Sequence, residues 1–440
     1  PTDRRTDLPL FAQVVGNPNG PQGLEYQSIL QSFNPTMSAY RQKSFMDYNF
    51  GASFGNQVTL GNSTLGYTMA LSYRNSTEYY EGAEYGNYGL FADPSVKEME
   101  VREFQYGDFG SNNVLIGGLA GVALKRMNAK YKLNALYLQN GESKAGIFEF
   151  ENRQQGAIFD GFQHTLEYSE RSIASIQLSG SNYLKDNKWE VDWRISPTRS
   201  TITDPDVRFT RYEYGSSGLR ISTEAGFPQR IWRYLDETNL VGAVDISNNS
   251  KFRGEPAKLR FWFGNTYKER DYEIQIFDFN IRNLNGQLTG NPDELFYDDN
   301  LWPVEGDANM GTTYEPQFVP ANPNLYNANI NNSSAYVSYE FKPVSKLKAI
   351  LGVRAEKYVQ RYTGQDQQGN NVLNNDVVLD LLDFFPTANL IYGFRDDQNF
   401  RISYAKTIAR PSFKEMSYAE IFDPLTNRTF VGGLFRDAND

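Results

Sequence analysis

The sequence predicts an all-β protein, a membrane-spanning antiparallel up-and-down β-barrel with about twelve strands in this chain. Three observations carry that reading. Apolar residues recur at every second position in many separate runs, the connections between runs alternate short and long, and aromatic content is high while mean hydropathy is low. Of 440 residues, 15% are aromatic, with 29 Tyr and 30 Phe, yet the mean hydropathy is -0.58. No run approaches the roughly 18 apolar residues that a spanning helix needs. A spanning strand shows lipid only every second residue, so its average hydropathy stays low. A secreted β-sandwich shares this composition, and the connections decide between the two.

Residues 1–47, rich in Pro, Gly, Asn and Gln, read as a lead-in segment, and the barrel as 48–440. Alternation begins at Tyr48, Phe50, Ala52 and Phe54, turns near Gly61-Asn62, and resumes at Leu65, Tyr67, Met69, Leu71 and Tyr73. Asn75 to Asn112 reads as a long polar and aromatic insertion. Val114–Leu124 is apolar on both faces, which periodicity alone assigns to neither strand nor helix. Tyr131, Leu133, Ala135 and Tyr137 alternate next, and Phe162 to Leu184 reads as one long strand. Trp189, Val191, Trp193 and Ile195 then oppose Glu190, Asp192 and Arg194. Leu240 to Ile246 pairs with a strand through Leu259, Phe261 and Phe263, and 282–330 is a large proline-bearing loop. Two hairpins close the series, Ala335–Phe341 with Leu347–Val353, and Ala388–Phe394 with Phe400–Ile408.

Short turns fall near 61, 127, 186, 252, 344 and 397, and long connections at 75–112, 141–161, 196–231, 282–330, 363–379 and after 411. In a meander, alternate connections lie at the same edge of the sheet. All short turns then share one end and all long loops the other, the pattern of an outer-membrane barrel rather than a Greek-key sandwich. Glu190, Asp192, Arg260, Lys348, Arg354 and Glu356 fall on the face opposite the apolar one. An inside that polar implies a water-filled or plugged lumen.

The stretch Asp383–Phe413, DFFPTANLIYGFRDDQNFRISYAKTIARPSF, resembles a barrel segment of TonB-dependent outer-membrane receptors. In that family an "LLP..NL.Y" strand, a tight turn and an "R.SYS.T.ARPSF.E" strand recur together. The matching residues are Phe385-Pro386, Asn389-Leu390, Tyr392, Arg401, Ser403-Tyr404, Thr407 and Ala409-Arg410-Pro411-Ser412-Phe413. Ser334–Tyr358 resembles another hairpin of the family, matched at Gly352, Arg354 and Glu356. The resemblance runs from Tyr48 to the end and implies a barrel of about 22 strands plugged by an N-terminal domain. It implies active uptake of a scarce ligand, driven through the plug by the TonB–ExbB–ExbD complex. Iron–siderophore is the commonest cargo, with oligosaccharide, peptide or cobalamin as others and a surface lipoprotein as a further partner. The chain departs from the family pattern in having no plug before Tyr48 and no terminal aromatic strand. It also lacks a signal peptide and an initiator Met, and an open sheet would leave two unpaired edges in lipid. The expectation is therefore a piece of a longer protein. Two alternatives of other classes stand beside uptake: a passive porin-like channel, and a barrel scaffold or adhesin subunit of a surface complex.

Cysteine is absent, so disulfides and thiolate metal sites are excluded. With 43 basic and 53 acidic residues the net charge is -10, which argues against nucleic acid as a partner. His164, the single histidine, reads as structural. No GxSxG, HExxH or phosphate-binding loop occurs, and enzyme activity is not expected. Asp293-Glu294 and Asp298-Asp299 offer carboxylate oxygens to Ca²⁺ without the spacing of a dedicated calcium loop. Solvated loop acids are the other reading, and no resident cofactor is expected. Tyr79, Tyr80, Tyr85, Tyr88 and Phe91, interleaved with Gly82, Gly86 and Gly89, are ligand candidates because exposed rings offer stacking surface. They also suit mutual packing or an interfacial aromatic girdle. Trp302 carries the same two readings.

Overall fold

The computed structural model describes residues 7–434 except 92, 154–157, 186–187, 285–286, 396 and 424–427. Its body is one antiparallel sheet of 14 strands. In chain order these are β1 (Tyr48–Leu60), β2 (Ser63–Leu90), β3 (Met99–Arg126), β4 (Ala129–Asn152), β5 (Phe159–Leu184), β6 (Trp189–Gly215) and β7 (Gly218–Arg220), then β8 (Gln229–Phe252), β9 (Glu255–Arg282), β10 (Gly311–Pro316), β11 (Leu325–Val344), β12 (Leu347–Gln365), β13 (Val372–Arg395) and β14 (Gln398–Ala405). Twelve follow one another in an up-and-down path, with β7 attached to β6 and β10 to β9. The small hairpin β15 (Glu420–Asp423) and β16 (Arg428–Val431) stands apart.

Antiparallel neighbours joined by a tight turn must pair directly, and the turns Gly61-Asn62, Met127-Asn128, Arg253-Gly254 and Ser345-Lys346 do this. They share one end of the sheet. The other end carries the longer connections, but most of what the sequence assigned to insertions is strand. β2 and β3 each run 28 residues and pair up to Leu90 with Met99, leaving only 91–98 as a tip. At about 3.3 Å per residue such strands reach roughly 90 Å, several times what one crossing needs. Tyr, Asn, Thr and Glu beyond the apolar band read as loop by composition, but they alternate well enough to extend the hydrogen-bonded ladder into water.

Register assigns the faces. Asp192, Asp245, Trp262, Tyr336 and Arg354 stand opposite one another across five strands. One step away, Trp193, Val244, Phe263, Ala335, Ala355 and Phe384 form the neighbouring row on the other face. The second face is apolar yet uncovered: Phe54 is 64% exposed and Phe400 60%. A continuous apolar surface of that extent is stable only against lipid. The polar face carries ion pairs, Lys258 with Glu190 (3.4 Å), Arg260 with Asp245 (3.6 Å) and Arg354 with Glu356 (2.6 Å).

The N-terminal segment is not bare loop. It holds α1 (Phe11–Val14) and α2 (Pro21–Gln31), whose Gly23, Tyr26 and Leu30 fall on one buried face at helical spacing. Pro21 starts α2 with its fixed φ, and a Cβ at Gly23 would lie 2.2 Å from the Pro18 carbonyl oxygen. The weak periodicity of the surrounding residues hides this short helix. Its core is built with Phe277 and Phe279 of β9, Tyr314 of β10, and Leu295, Phe296 and Trp302 from the 283–310 loop. The β8–β9 pairing runs without a slip from Phe252 opposite Glu255 to Gln229 opposite Asp278. Phe277 and Phe279 therefore share a face with Phe261 and Phe263. The helices cap the outer continuation of the lipid-facing surface, beyond the membrane.

From this cap, residues 34–47 run as a belt across the strand ends to β1. Arg230 of β8 donates to the Asn34 carbonyl (2.6 Å) and Arg208 of β6 to that of Thr36. Asp293 Oδ1 accepts from the N–H groups of Met37 (2.6 Å) and Ser38 (2.8 Å). His164 Nδ1 on β5 accepts from the Ala39 N–H (3.1 Å), Arg41 pairs with Asp108 of β3, and Asp47 accepts from the Thr77 N–H of β2 (2.8 Å). Asp206, at φ 65° beside a slip in the β6–β8 register, clamps both Arg208 and Arg230. Asp tolerates that left-handed backbone better than most residues.

Two expectations follow for the cap and belt. The Tyr26 hydroxyl donates to the Tyr314 carbonyl and accepts from its N–H, both at 2.7 Å. Tyr26→Phe removes both of these buried hydrogen bonds, and should destabilise the cap by about 1–3 kcal/mol, read as faster hydrogen exchange across 11–33. Burial, opposed by the nearby Asp293 charge, lowers the His164 pKa from 6.5 to about 4, and the ring can accept from Ala39 only when neutral. Its contribution is thus full above pH 6.5 and disappears as pH falls through 4. Proteolytic nicking of 34–47 should rise over that window, and His164→Leu should raise nicking at neutral pH and flatten the rise.

Candidate functional site

Alternation separates the aromatic residues that the sequence groups together. Tyr80 stands opposite Phe109 and Tyr85 opposite Gln105. The β3–β4 register is unbroken, so these partners share the face opposite Ile116 and Val122, which belong to the apolar band. Tyr80 and Tyr85 therefore belong to the lumen side. Gly82, at φ +65°, absorbs a slip between Tyr80 and Ala83, a conformation that suits glycine and lets the hairpin continue beyond it. Tyr79 lies on the other face, beneath Arg41, whose guanidinium is 5.8 Å from its ring centroid. Tyr88 and Phe91 are exposed near the hairpin tip.

Trp302 is 1% exposed, with its rings against Phe11 and Tyr26 at 5.4 Å and its indole N–H donated to the Ala308 carbonyl (2.8 Å). It is a pillar of the cap. The Asp293 carboxylate is used by Met37 and Ser38, and Glu294 accepts from the Tyr212 hydroxyl (2.9 Å), Thr289 and Gly290. Those oxygens hold the loop to the cap. Asp298 and Asp299 remain exposed on a short 3-10 turn, and among the described residues no group of three or more acidic or histidine side chains could hold a metal.

Around Tyr85, the lumen side of the β3–β6 ends forms a site that the sequence did not indicate. Tyr85 meets Phe148 edge-on at 5.6 Å. Beside it a buried chain of polar groups crosses three strands. Arg211 donates to Gln163 (2.8 Å), Gln163 to Gln105 (3.0 Å), and Gln105 to Glu103 (3.3 Å). The Arg211 guanidinium lies 3.6 Å from the centroid of the Phe150 ring and also donates to the Ala225 carbonyl (3.2 Å). Burial, opposed by Glu103, lowers its pKa to about 10, so it keeps its charge at neutral pH. Arg211 and Phe150 are both buried, so this cation on an arene ties the strand ends together beneath Tyr85, whose half-buried ring is the part of the cluster open to a ligand. The residues are scattered from Tyr85 to Ala225, so no local motif announces them. Only their even spacing on successive strands marks them, and a register is needed to use it.

The C-terminal segment that carries the ARPSF sequence also folds onto the lumen face. Arg410 bridges Glu356 (3.3 Å) and Asp383 (2.9 Å), with its guanidinium 4.5 Å from the Tyr358 ring. Phe413 is buried with Tyr272, Tyr326 and Tyr362. The Tyr362 hydroxyl accepts from the Tyr418 N–H (3.3 Å) and Asn324 accepts from that of Glu420 (2.9 Å), which carries the segment to the outer rim.

Part of the chain matches a known family. Residues 305–428 match a family described as the outer membrane protein beta-barrel family. No curated protein matches the sequence. Among solved structures, the siderophore receptor PiuA from Acinetobacter baumannii is similar at a TM-score of 0.41 and 12% identity, over 90% of this chain and 52% of that one. The chain thus spans about half the length of that receptor. Its antiparallel meander, uncovered apolar band and polar inner face are those of an integral outer-membrane β-barrel protein.

Proposed function

We propose that the chain is part of a receptor that takes up a scarce ligand actively across the outer membrane, with an iron–siderophore complex as the first substrate class. In this reading Tyr80 and Tyr85 meet the ligand at the mouth, the buried Arg211–Phe150 pair holds the strands beneath them, and TonB–ExbB–ExbD supplies energy through a plug. The barrel performs no bond-making chemistry. The observation that carries the proposal is the placement of the ARPSF segment. The sequence most similar to TonB-dependent receptors lies on the lumen wall, fixed by Arg410 to Glu356 and Asp383.

The test is uptake of iron-loaded siderophores by cells that express the protein, with and without a functional TonB. Uptake that disappears with TonB supports the proposal. Uptake that persists without TonB makes the protein a passive channel, and stable partner proteins recovered with no ligand dependence make it a scaffold. Within a TonB-dependent response, Tyr85→Ala should weaken ligand binding about tenfold, the loss of one good aromatic contact. Tyr79→Ala, on the opposite face, should leave binding within about twofold. Equal effects of the two would contradict the assigned faces.

A further inference from the structure

A cavity of about 570 Å³ lies between residues 39–45 of the belt and the lipid-facing side of β2, β3 and β4. Thr77, Tyr79, Asn112 and Ser143 line it, with Arg41 and Lys43 on the belt side. Its height follows from the register. Tyr73 opposite Ile116 ends the apolar run on these strands, and the row Thr77–Asn112–Ser143 lies four residues further out on β2. With the usual rise and tilt of a barrel strand that is about 10 Å along the membrane normal, the depth of the headgroup layer.

The belt beside the cavity is shaped for the same layer. Tyr40, Phe45 and Met46 are 72%, 75% and 71% exposed, and they interleave with Arg41 and Lys43. Apolar side chains so exposed are costly in water, but in an interfacial segment they enter the acyl boundary while the cations stay among headgroups. They continue directly into Phe50 and Phe54 of the lipid-facing band. Arg41 is engaged by Asp108, which fixes the belt, and Lys144 by Glu142 (3.2 Å), so among the described residues Lys43 is the lining cation with no ion pair. Hydroxyl and amide groups from three adjacent strands complete a site for oxygen-rich polar groups, with the Tyr79 ring as one wall.

We propose that this cavity seats the net-anionic, phosphate-bearing headgroup of an outer-leaflet lipid, with Phe45 and Met46 beside its acyl chains. Lys43 meets the phosphate, and Thr77, Asn112 and Ser143 hydrogen-bond its oxygens or those of an attached sugar. The site is on the face opposite Tyr80 and Tyr85, so it is independent of uptake.

The test places the full chain in nanodiscs of phosphatidylcholine mixed with either lipid A or phosphatidylglycerol, and measures by native mass spectrometry the lipid retained after detergent extraction. Lipid A should be retained about tenfold over phosphatidylcholine, and Lys43→Ala should reduce that about fivefold, the effect of one interfacial charge. Lys43 is exposed, so its removal does not disturb the fold; Tyr79→Ala should give a loss in the same direction. Retention of phosphatidylglycerol as well as lipid A supports recognition of the phosphate, and retention of lipid A alone supports recognition of the sugar too. Retention of neither above phosphatidylcholine overturns the proposal, as does retention unchanged in both variants.

Discussion

Between β8 and β9 the pairing runs from Phe252 with Glu255 to Gln229 with Asp278 without a slip, and β9 with β11 is equally regular. A side chain on a strand has two directions open to it, and unbroken pairing makes that choice common to every neighbour. One face must therefore satisfy two solvents in turn. Near the short turns it presents Trp193, Val244 and Phe263 to lipid, and further out Phe277 and Phe279 need protein cover. The N-terminal helices and the 283–310 loop provide it, and the opposite face is left to carry charge. At two of the register slips, beside Gly82 and at Asp206, a residue tolerant of positive φ takes the strain.

The belt and the ARPSF segment are complementary straps, one on each face. Outside, Arg230, Arg208, Asp293 and His164 hold residues 34–39 through backbone groups, so the contacts fix position with little regard to belt side chains. Inside, Arg410 and Phe413 hold through side chains, an ion-pair bridge and an aromatic nest. Surface ion pairs contribute little singly, about 0–1 kcal/mol, but one guanidinium nitrogen shared by two carboxylates over an arene in a largely buried site is better placed. The outer strap leaves Tyr40, Phe45 and Met46 exposed while Arg41 is tied to Asp108.

Much of the fold is legible in the sequence. Trp189 to Ile195 and Leu259 to Phe263 show their faces plainly, and two-residue turns flanked by such runs locate one end of the sheet. The outer halves of the strands are less legible. Residues 75–90 show no apolar stripe because Tyr, Asn, Glu and Gly occur on both faces, so composition resembles loop while the ladder continues. The site was divided differently from its sequence grouping. Tyr79 and Tyr80 are adjacent and so must point apart, Trp302 packs on Tyr26 of α2, 276 residues earlier in the chain, and Asp293 uses its oxygens on Met37 and Ser38. Glu103, Gln105, Gln163 and Arg211 come together only through strand pairing.

The assignment of faces supports the cap, the mouth and the headgroup cavity together, and one measurement addresses it directly. The sequence has no cysteine, so single substitutions give unique labels. Phe263→Cys and Trp262→Cys, adjacent on β9, would each be labelled with a fluorophore in bilayers and exposed in turn to a lipid-borne and a water-soluble quencher. The account predicts that the label at 263 is quenched from lipid and the label at 262 from water. Quenching in the reverse order, or of both labels from the same phase, would contradict it.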